Sequence, residues 1–260
     1  MITGVLLDID GVLTVSWRPL AGAVATIGWL QEHGLDFCLV TNSSSKIRRE
    51  IAHLLARAGM AVEVGAIHTA VTSAARYLTE HHPEVPCWVL NEGDLGEDLA
   101  GVEMVGPDRA GVVLLGGAGP SVGYDALNAA FRLAVDGVPL VALHRNTRYQ
   151  VADGLALDMG AFLIGLEAAA GVDAVVVGKP SASFFGAALD DLGVEASEAV
   201  MVGDDIVSDV LGAQALGMTG ALVRTGKFRP SDLEGGGPAP DHVLQDIGEL
   251  PALIDELNRS

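Results

Sequence analysis

Short apolar runs closed by glycine or polar residues alternate along the chain with Ala- and Leu-rich stretches of helical period. That alternation predicts parallel strands with helices packed on both faces of the sheet. TGVLLD (3–8) reads as the first strand, and AGAVATIGWLQEH (21–33) as a helix stopped by Gly34, a residue free to take positive φ. DFCLVT (36–41) is the next strand. NSSSKIRREIAHLLARAG (42–59) opens with helix-capping residues and continues as an amphipathic run, so a helix is expected to begin at its start. Toward the end, AVVVG (174–178), EAVMVG (198–203) and GALVRT (220–225) read as strands. SASFFGAALDDLG (181–193) and the stretch through GAQALG (212–217) read as the intervening helices.

Between these halves lie further strand candidates, VPCWVL (85–90), GVVLLG (111–116) and PLVAL (139–143). Two helix candidates accompany them, YDALNAAFRLAVDG (124–137) and MGAFLIGLEAAAG (159–171). This is enough chain for a domain of its own. The expected architecture is α/β: a doubly wound parallel-sheet, Rossmann-like core from residues 1–70 and 175–260, with an inserted α/β cap domain over 71–174. GGGPAP (235–240) reads as a loop without chemical content.

Composition narrows what such a fold is for. The chain has 260 residues, half of them hydrophobic, enough for one large or two medium domains. A net charge of −19, from 34 acidic and 15 basic side chains, argues against general attraction to nucleic acid or anionic lipid. Neither partner is expected. Cys38 and Cys87 both lie in apolar runs and read as reduced core thiols. The chain shows no basic, apolar leader and no apolar run of roughly 18 residues, so a cytoplasmic location is the expectation.

In doubly wound sheets, ligands bind beyond the carboxyl ends of the strands, which directs attention to what closes each strand. The first closes on Asp8 and Asp10, the second on Thr41, Asn42 and Ser43, a later one on Gly178, Lys179 and Pro180, and another on Gly203, Asp204 and Asp205. Each cluster alone has a plainer reading. DIDG could begin a calcium loop, but Val12 and Pro19 stand where that loop needs oxygen ligands. TNSSS could be a helix cap, Lys179 a loop lysine, and GDDIVSD a capped helix start with Asp205 and Asp209 one turn apart. Taken together, carboxylates held close would raise one another's pKa unless a cation lay among them. A hard divalent ion, magnesium where phosphate completes the shell, resolves the repulsion. Thr41 with backbone N–H groups at the start of the following helix, and Lys179 as a point charge, would hold the phosphoryl oxygens. GGAGPSVG (116–123) fails as a dinucleotide loop on glycine spacing and is read as a tight connection.

In this order DIDGVLT, TNSSS, GKP and GDDIVSD resemble the four motifs of the haloacid dehalogenase superfamily of phosphohydrolases. The insert between the second and third motifs, with GLALDMGAFLIGLEAAAG leading into VVVGKPS, is similar to the type-two cap of subfamily IIA. The resemblance implies a magnesium-dependent phosphatase of a small phosphorylated substrate. It makes Asp8 the nucleophile that becomes an aspartyl phosphate and Asp10 the proton donor and acceptor. Asp8, Asp204 and the backbone carbonyl of Asp10 would hold the ion, with Asp205 and Asp209 steadying Lys179 and metal-bound water. It places Asn42 and Ser43 at the phosphate, through backbone as much as side chain, and admits a homodimer through the cap. Within the cap, the polar stretch HRNTRYQVADG (144–154) offers Arg145, Arg148, Tyr149 and Asp153 as specificity candidates, against the plainer reading of a solvated loop. Two alternatives stay open: a receiver-like phospho-accepting module, which lacks a second aspartate two residues past the acceptor, and an inactive metabolite-binding protein on the same fold.

Overall fold

Gly4–Asp8 is buried along its whole length, which explains why it reads as an unbroken apolar run rather than an alternating one. It pairs in parallel with Ala199–Gly203 on one side and Asp36–Thr41 on the other. The full sheet has six strands in the order His242–Leu244, Thr219–Val223, Ala199–Gly203, Gly4–Asp8, Asp36–Thr41, Ile67–Thr69. Chain order therefore reverses direction at Gly4–Asp8, creating the switch point where a crevice opens beyond the strand ends. Period-two alternation divides the strand between two cores. Val5 and Leu7 pack with Ile27, Leu39 and Ile51, while Leu6 packs with Val40, Phe184, Phe185 and Met201. Each such side chain contributes about 1.5–3 kcal/mol on burial, which holds the polar strand ends in place.

The computed structural model describes residues 1–151, 154–234 and 237–259. It separates into two units, Met1–Thr41 with Arg48–His68 and Lys179–Ser260, and Asn42–Ile47 with Thr69–Gly178. In the first unit, helix Ala23–Glu32 ends before Gly34, whose φ is 63°. The helix expected from residue 42 instead begins at Arg48, spanning Arg48–Arg57. Asn and Ser side chains compete for nearby backbone groups, so Asn42–Ile47 stays a loop and the amphipathic run starts after it. Thr41 and the first turn of that helix are thus separated in sequence by this loop. Strand His242–Leu244 and helix Leu250–Leu257 complete this unit and carried no clear sequence signal.

The second unit has its own parallel sheet, in the order Val175–Val176, Leu140–Ala142, Val112–Leu115, Cys87–Leu90. Val175–Val176, expected in the resumed core, pairs with Leu140–Ala142 here, and the chain changes unit at Lys179. Helices Tyr124–Val135 and Met159–Ala170 match their predicted runs. Ala70–His81 is a further helix that the sequence does not announce. Its entry is a reciprocal cap in which Thr72 N donates to Thr69 Oγ1 at 3.1 Å and Thr69 N donates to Thr72 Oγ1 at 3.0 Å. The polar stretch expected as a loop is a β-hairpin, Arg148–Val151 paired antiparallel with Gly154–Leu157. Among the described residues no helix is long and apolar enough to cross a membrane.

Candidate active site

Asp8 closes the central strand, and its register opposite Val40 sets Thr41 one residue further along the neighbouring strand. Both side chains are buried, as are Lys179, Asp204 and Asp209. Lys179 Nζ donates to Asp8 Oδ1 at 2.6 Å and lies 2.7 Å from Asp209 Oδ1, with Val40 O at 3.5 Å. Asp204 and Asp209 follow the adjacent strand Ala199–Gly203, Asp209 within a π-helical turn, Ile206–Leu211. That turn folds back so that Asp209 Oδ2 accepts from Asp205 N at 3.2 Å. One carboxylate oxygen from each of Asp8, Asp204 and Asp209 lies within 4.8 Å of the others.

Burial and mutual charge disfavour ionisation of Asp204 and Asp209 in this cluster. Burial, then the charges of Asp8 and Asp209, push the Asp204 carboxyl up to about 8. Burial likewise lifts Asp209 to about 6, against the pull of Lys179. Lys179 would be lowered by its burial, but Asp209 and Asp8 outweigh that and raise it, so it stays charged. Burial of its surroundings raises Asp10, with Lys227 acting in the opposite direction.

A hard divalent cation fits these donors on the geometry of Asp204 in particular. Its Oδ2 accepts from Lys227 N at 2.7 Å, whereas Oδ1 is buried with no hydrogen-bond partner among the described residues. Leaving a buried carboxylate oxygen unsatisfied is costly unless an ion completes it. The pocket around Asp204 admits no extra side-chain atoms: a Cβ on Gly11 (φ 97°) or Gly226 (φ 61°) would strike Asp204 Oδ2. Both backbone conformations also suit glycine.

Of the residues singled out in the sequence, Asp8, Lys179, Asp204 and Asp209 meet directly. Asp10 is exposed beside them, at a bridge to Thr14. Asp205 departs from its expected place beside Lys179. Its Oδ1 accepts from Val207 N at 3.1 Å and Ser208 N at 3.0 Å, capping the π-turn, and its Oδ2 lies 3.8 Å from Lys227 Nζ. Asn42 and Ser43 fall in the second unit, with Ser43 Oγ 3.5 Å from Ser45 Oγ. Arg145 is held by Glu167 in a two-pronged pair at 2.6 and 2.8 Å, and Glu167 also accepts from Ala174 N, so this arginine fastens the helix Met159–Ala170. Arg148 is exposed on the hairpin, and Tyr149 OH donates to Ala118 O at 3.4 Å. Asp153 lies outside the described residues. The residue that sequence reasoning missed is Lys227; RTGKFR (224–229) holds the clue, three cations in six positions directly after a strand of an acidic chain.

Comparison with known proteins adds an independent line. Residues 5–104 match a family model described as haloacid dehalogenase-like hydrolase, and residues 176–250 match one described as HAD-hydrolase-like. Phospholysine phosphohistidine inorganic pyrophosphate phosphatase of Rattus norvegicus is 38% identical over 259 residues, covering 97% of this chain and 94% of that protein. Haloacid dehalogenase-like hydrolase domain-containing protein 2 of Homo sapiens is 37% identical, covering 94% of this chain and 96% of that protein. Among solved structures, p-nitrophenyl phosphatase from Archaeoglobus fulgidus has a TM-score of 0.90 at 29% identity, covering 97% of this chain and 99% of that one. NagD from E. coli K-12 gives 0.86 at 27%, covering 95% and 98%.

Proposed function

The chain belongs to the haloacid dehalogenase-like hydrolases, and on that premise we propose that it is a magnesium-dependent phosphatase of a small phosphorylated substrate, working through an aspartyl phosphate on Asp8. The observation that carries this reading is the buried Asp8 carboxylate, held by Lys179 at 2.6 Å beside an Asp204 oxygen that has no hydrogen-bond partner among the described residues. Magnesium, held by Asp8, Asp204 and the backbone carbonyl of Asp10, would supply charge neutralisation for the phosphoryl oxygens.

In the first half-reaction the free oxygen of Asp8 attacks phosphorus and the bond to the leaving oxygen breaks, while Asp10 gives that oxygen its proton. Ionised Asp10 then takes a proton from a water attacking the same phosphorus, and the acyl-phosphate bond cleaves to return Asp8 and release orthophosphate. A group that cycles in this way works best with a pKa nearer the operating pH, and Asp10 is raised in that direction. Lys179 orients Asp8 through its 2.6 Å contact and stabilises charge gathering on the phosphoryl oxygens. Asp209 fixes Lys179 at 2.7 Å and acts through it. In this reading the inserted unit selects the leaving group, and pairing of two copies through it is supported by the exposed Leu155 and Leu157 of its hairpin.

The test compares wild type with Asp8→Asn on a phosphoester and phosphoamide panel that includes p-nitrophenyl phosphate. We expect magnesium-dependent turnover, abolished by chelation and reduced by at least about a thousandfold in Asp8→Asn, as befits loss of a nucleophile. Turnover no greater than that of Asp8→Asn would end the proposal, and no turnover in either protein would favour the inactive binding protein instead.

A further inference from the structure

Asp10 is exposed on the turn that leaves strand Gly4–Asp8, so its aim depends on how firmly that turn is held. The turn closes on itself through backbone. Gly11 N donates to Thr14 O at 2.7 Å, and Leu13 N and Thr14 N both donate to Ile9 O, at 3.0 and 2.9 Å. Gly11, directly after Asp10, takes φ 97°. Glycine has the widest backbone freedom of any residue, so a turn built on it keeps one geometry only when its neighbours fix it.

One neighbour does so with a side chain. Thr225 Oγ1 donates to Gly11 O, although the two lie 214 residues apart and no local spacing announces the contact. Thr225 is itself tied on both sides: Arg224 N donates to Leu244 O at 2.9 Å, and Phe228 N donates to Thr225 O at 3.2 Å. The loops can meet here because both carry glycine. A Cβ on Gly226 would strike Gly11 Cα, and one on either glycine would strike Asp204 Oδ2. Lys227 N donates to that same oxygen at 2.7 Å. Residues 225–227 therefore join the turn that carries Asp10 to the carboxylate of Asp204, and Thr225 makes its share of the link through a hydroxyl. All of these residues belong to the first unit.

The link has a chemical consequence. A general acid must stand within hydrogen-bond reach of the leaving oxygen, and a displacement of about 1 Å can cost on the order of a hundredfold in rate. Without the hydroxyl, the Gly11 carbonyl loses its partner and the Gly11–Val12 peptide gains freedom to rotate beside Asp10. A tie that serves stability alone would leave all substrates equally affected. One that aims the acid must show in how the rate depends on the leaving group.

We infer that Thr225 is a positioning residue for proton donation by Asp10, acting through the Gly11 carbonyl and touching no substrate itself. This rests on the phosphatase reading above and adds a residue outside the four sequence motifs.

The test measures kcat/KM of the full chain at fixed free magnesium for two esters. The leaving group of p-nitrophenyl phosphate departs readily as the anion, whereas that of phenyl phosphate depends more on receiving a proton. Because kcat/KM ends at the first irreversible step, departure of the phenol, it reports proton donation and not the later attack of water. In Thr225→Val, which keeps the shape and removes the hydroxyl, phenyl phosphate should lose at least about tenfold more than p-nitrophenyl phosphate does. Thr225→Ser, which keeps the hydroxyl, should hold the wild-type ratio of the two esters within about threefold. A thermal melt accompanies each variant, and Thr225→Ala supplies the hydroxyl-free protein if Thr225→Val does not fold. Equal loss on both esters, or on neither, overturns the inference while leaving the phosphatase reading intact, as does a change of ratio in Thr225→Ser as large as in Thr225→Val. Wild-type protein inert toward both esters and the wider panel would overturn both together.

Discussion

Lys179 is the residue on which most of the site's electrostatics converge, since it faces Asp8 and Asp209 at 2.6 and 2.7 Å in a place closed to water. Removing one partner of a buried ion pair leaves uncompensated charge, so Lys179→Met should lower unfolding free energy by about 3–5 kcal/mol, read from urea denaturation, besides removing turnover. Asp204 makes a prediction of the opposite kind. Its carboxyl is pushed up to about 8 by burial and by the charges of Asp8 and Asp209. A group raised above its unfolded value of about 4 favours the folded state at low pH, and that contribution disappears as pH climbs through the folded value. Asp209, lifted to about 6, acts in the same sense. Metal-free protein should therefore show a falling denaturation midpoint from pH 5 to pH 8.5, with added magnesium restoring it most at the alkaline end. A midpoint that rises over that interval in chelator contradicts the assigned electrostatics. Asp8, Lys179, Asp204 and Asp209 were legible because each lies at or just beyond a polar break in an apolar run. Lys227 was not, because what aims it is a loop backbone folding onto Asp204, which no local spacing reports.

Elements buried on both faces were the readable ones. Gly4–Asp8, Asp36–Thr41 and Ala199–Gly203 stand within a residue of their predicted spans, since central parallel strands must be apolar throughout. Ala70–His81 escaped notice because its cap is a threonine pair rather than the Ser/Thr with Glu/Gln signature, and Val71 and Thr72 are weak helix formers. Thr69→Ala should cost about 1 kcal/mol in unfolding free energy, the usual worth of an N-cap, with the loss visible as faster amide exchange in the first turn of that helix. The hairpin Arg148–Val151 and Gly154–Leu157 was hidden for a different reason: Leu155 and Leu157 point to solvent, so no apolar face marks it as sheet. Asn42–Ile47 shows capping residues forming a loop of their own before the helix at Arg48.

For the molecule as a whole, motif order carried more information than any single motif. Four strand-end clusters, each ambiguous alone, gave the family and the α/β architecture, and the relatives at 37 and 38% identity belong to the same family. The point where the insert ends was less legible: the apolar run before Lys179 looks the same whichever sheet receives it, and Val175–Val176 joins the second. Since the ion would bind only the folded chain, magnesium should raise the thermal midpoint with a dependence on concentration, and Asp204→Asn should flatten that dependence.

Reductive trapping addresses the account at its centre. Protein turning over p-nitrophenyl phosphate with magnesium is quenched with borohydride, which converts an aspartyl phosphate to homoserine, and its peptides are mapped by mass. The account predicts homoserine at position 8, dependent on both substrate and magnesium. Sustained turnover with Asp8 unmodified, or with the modification at another aspartate, would contradict it.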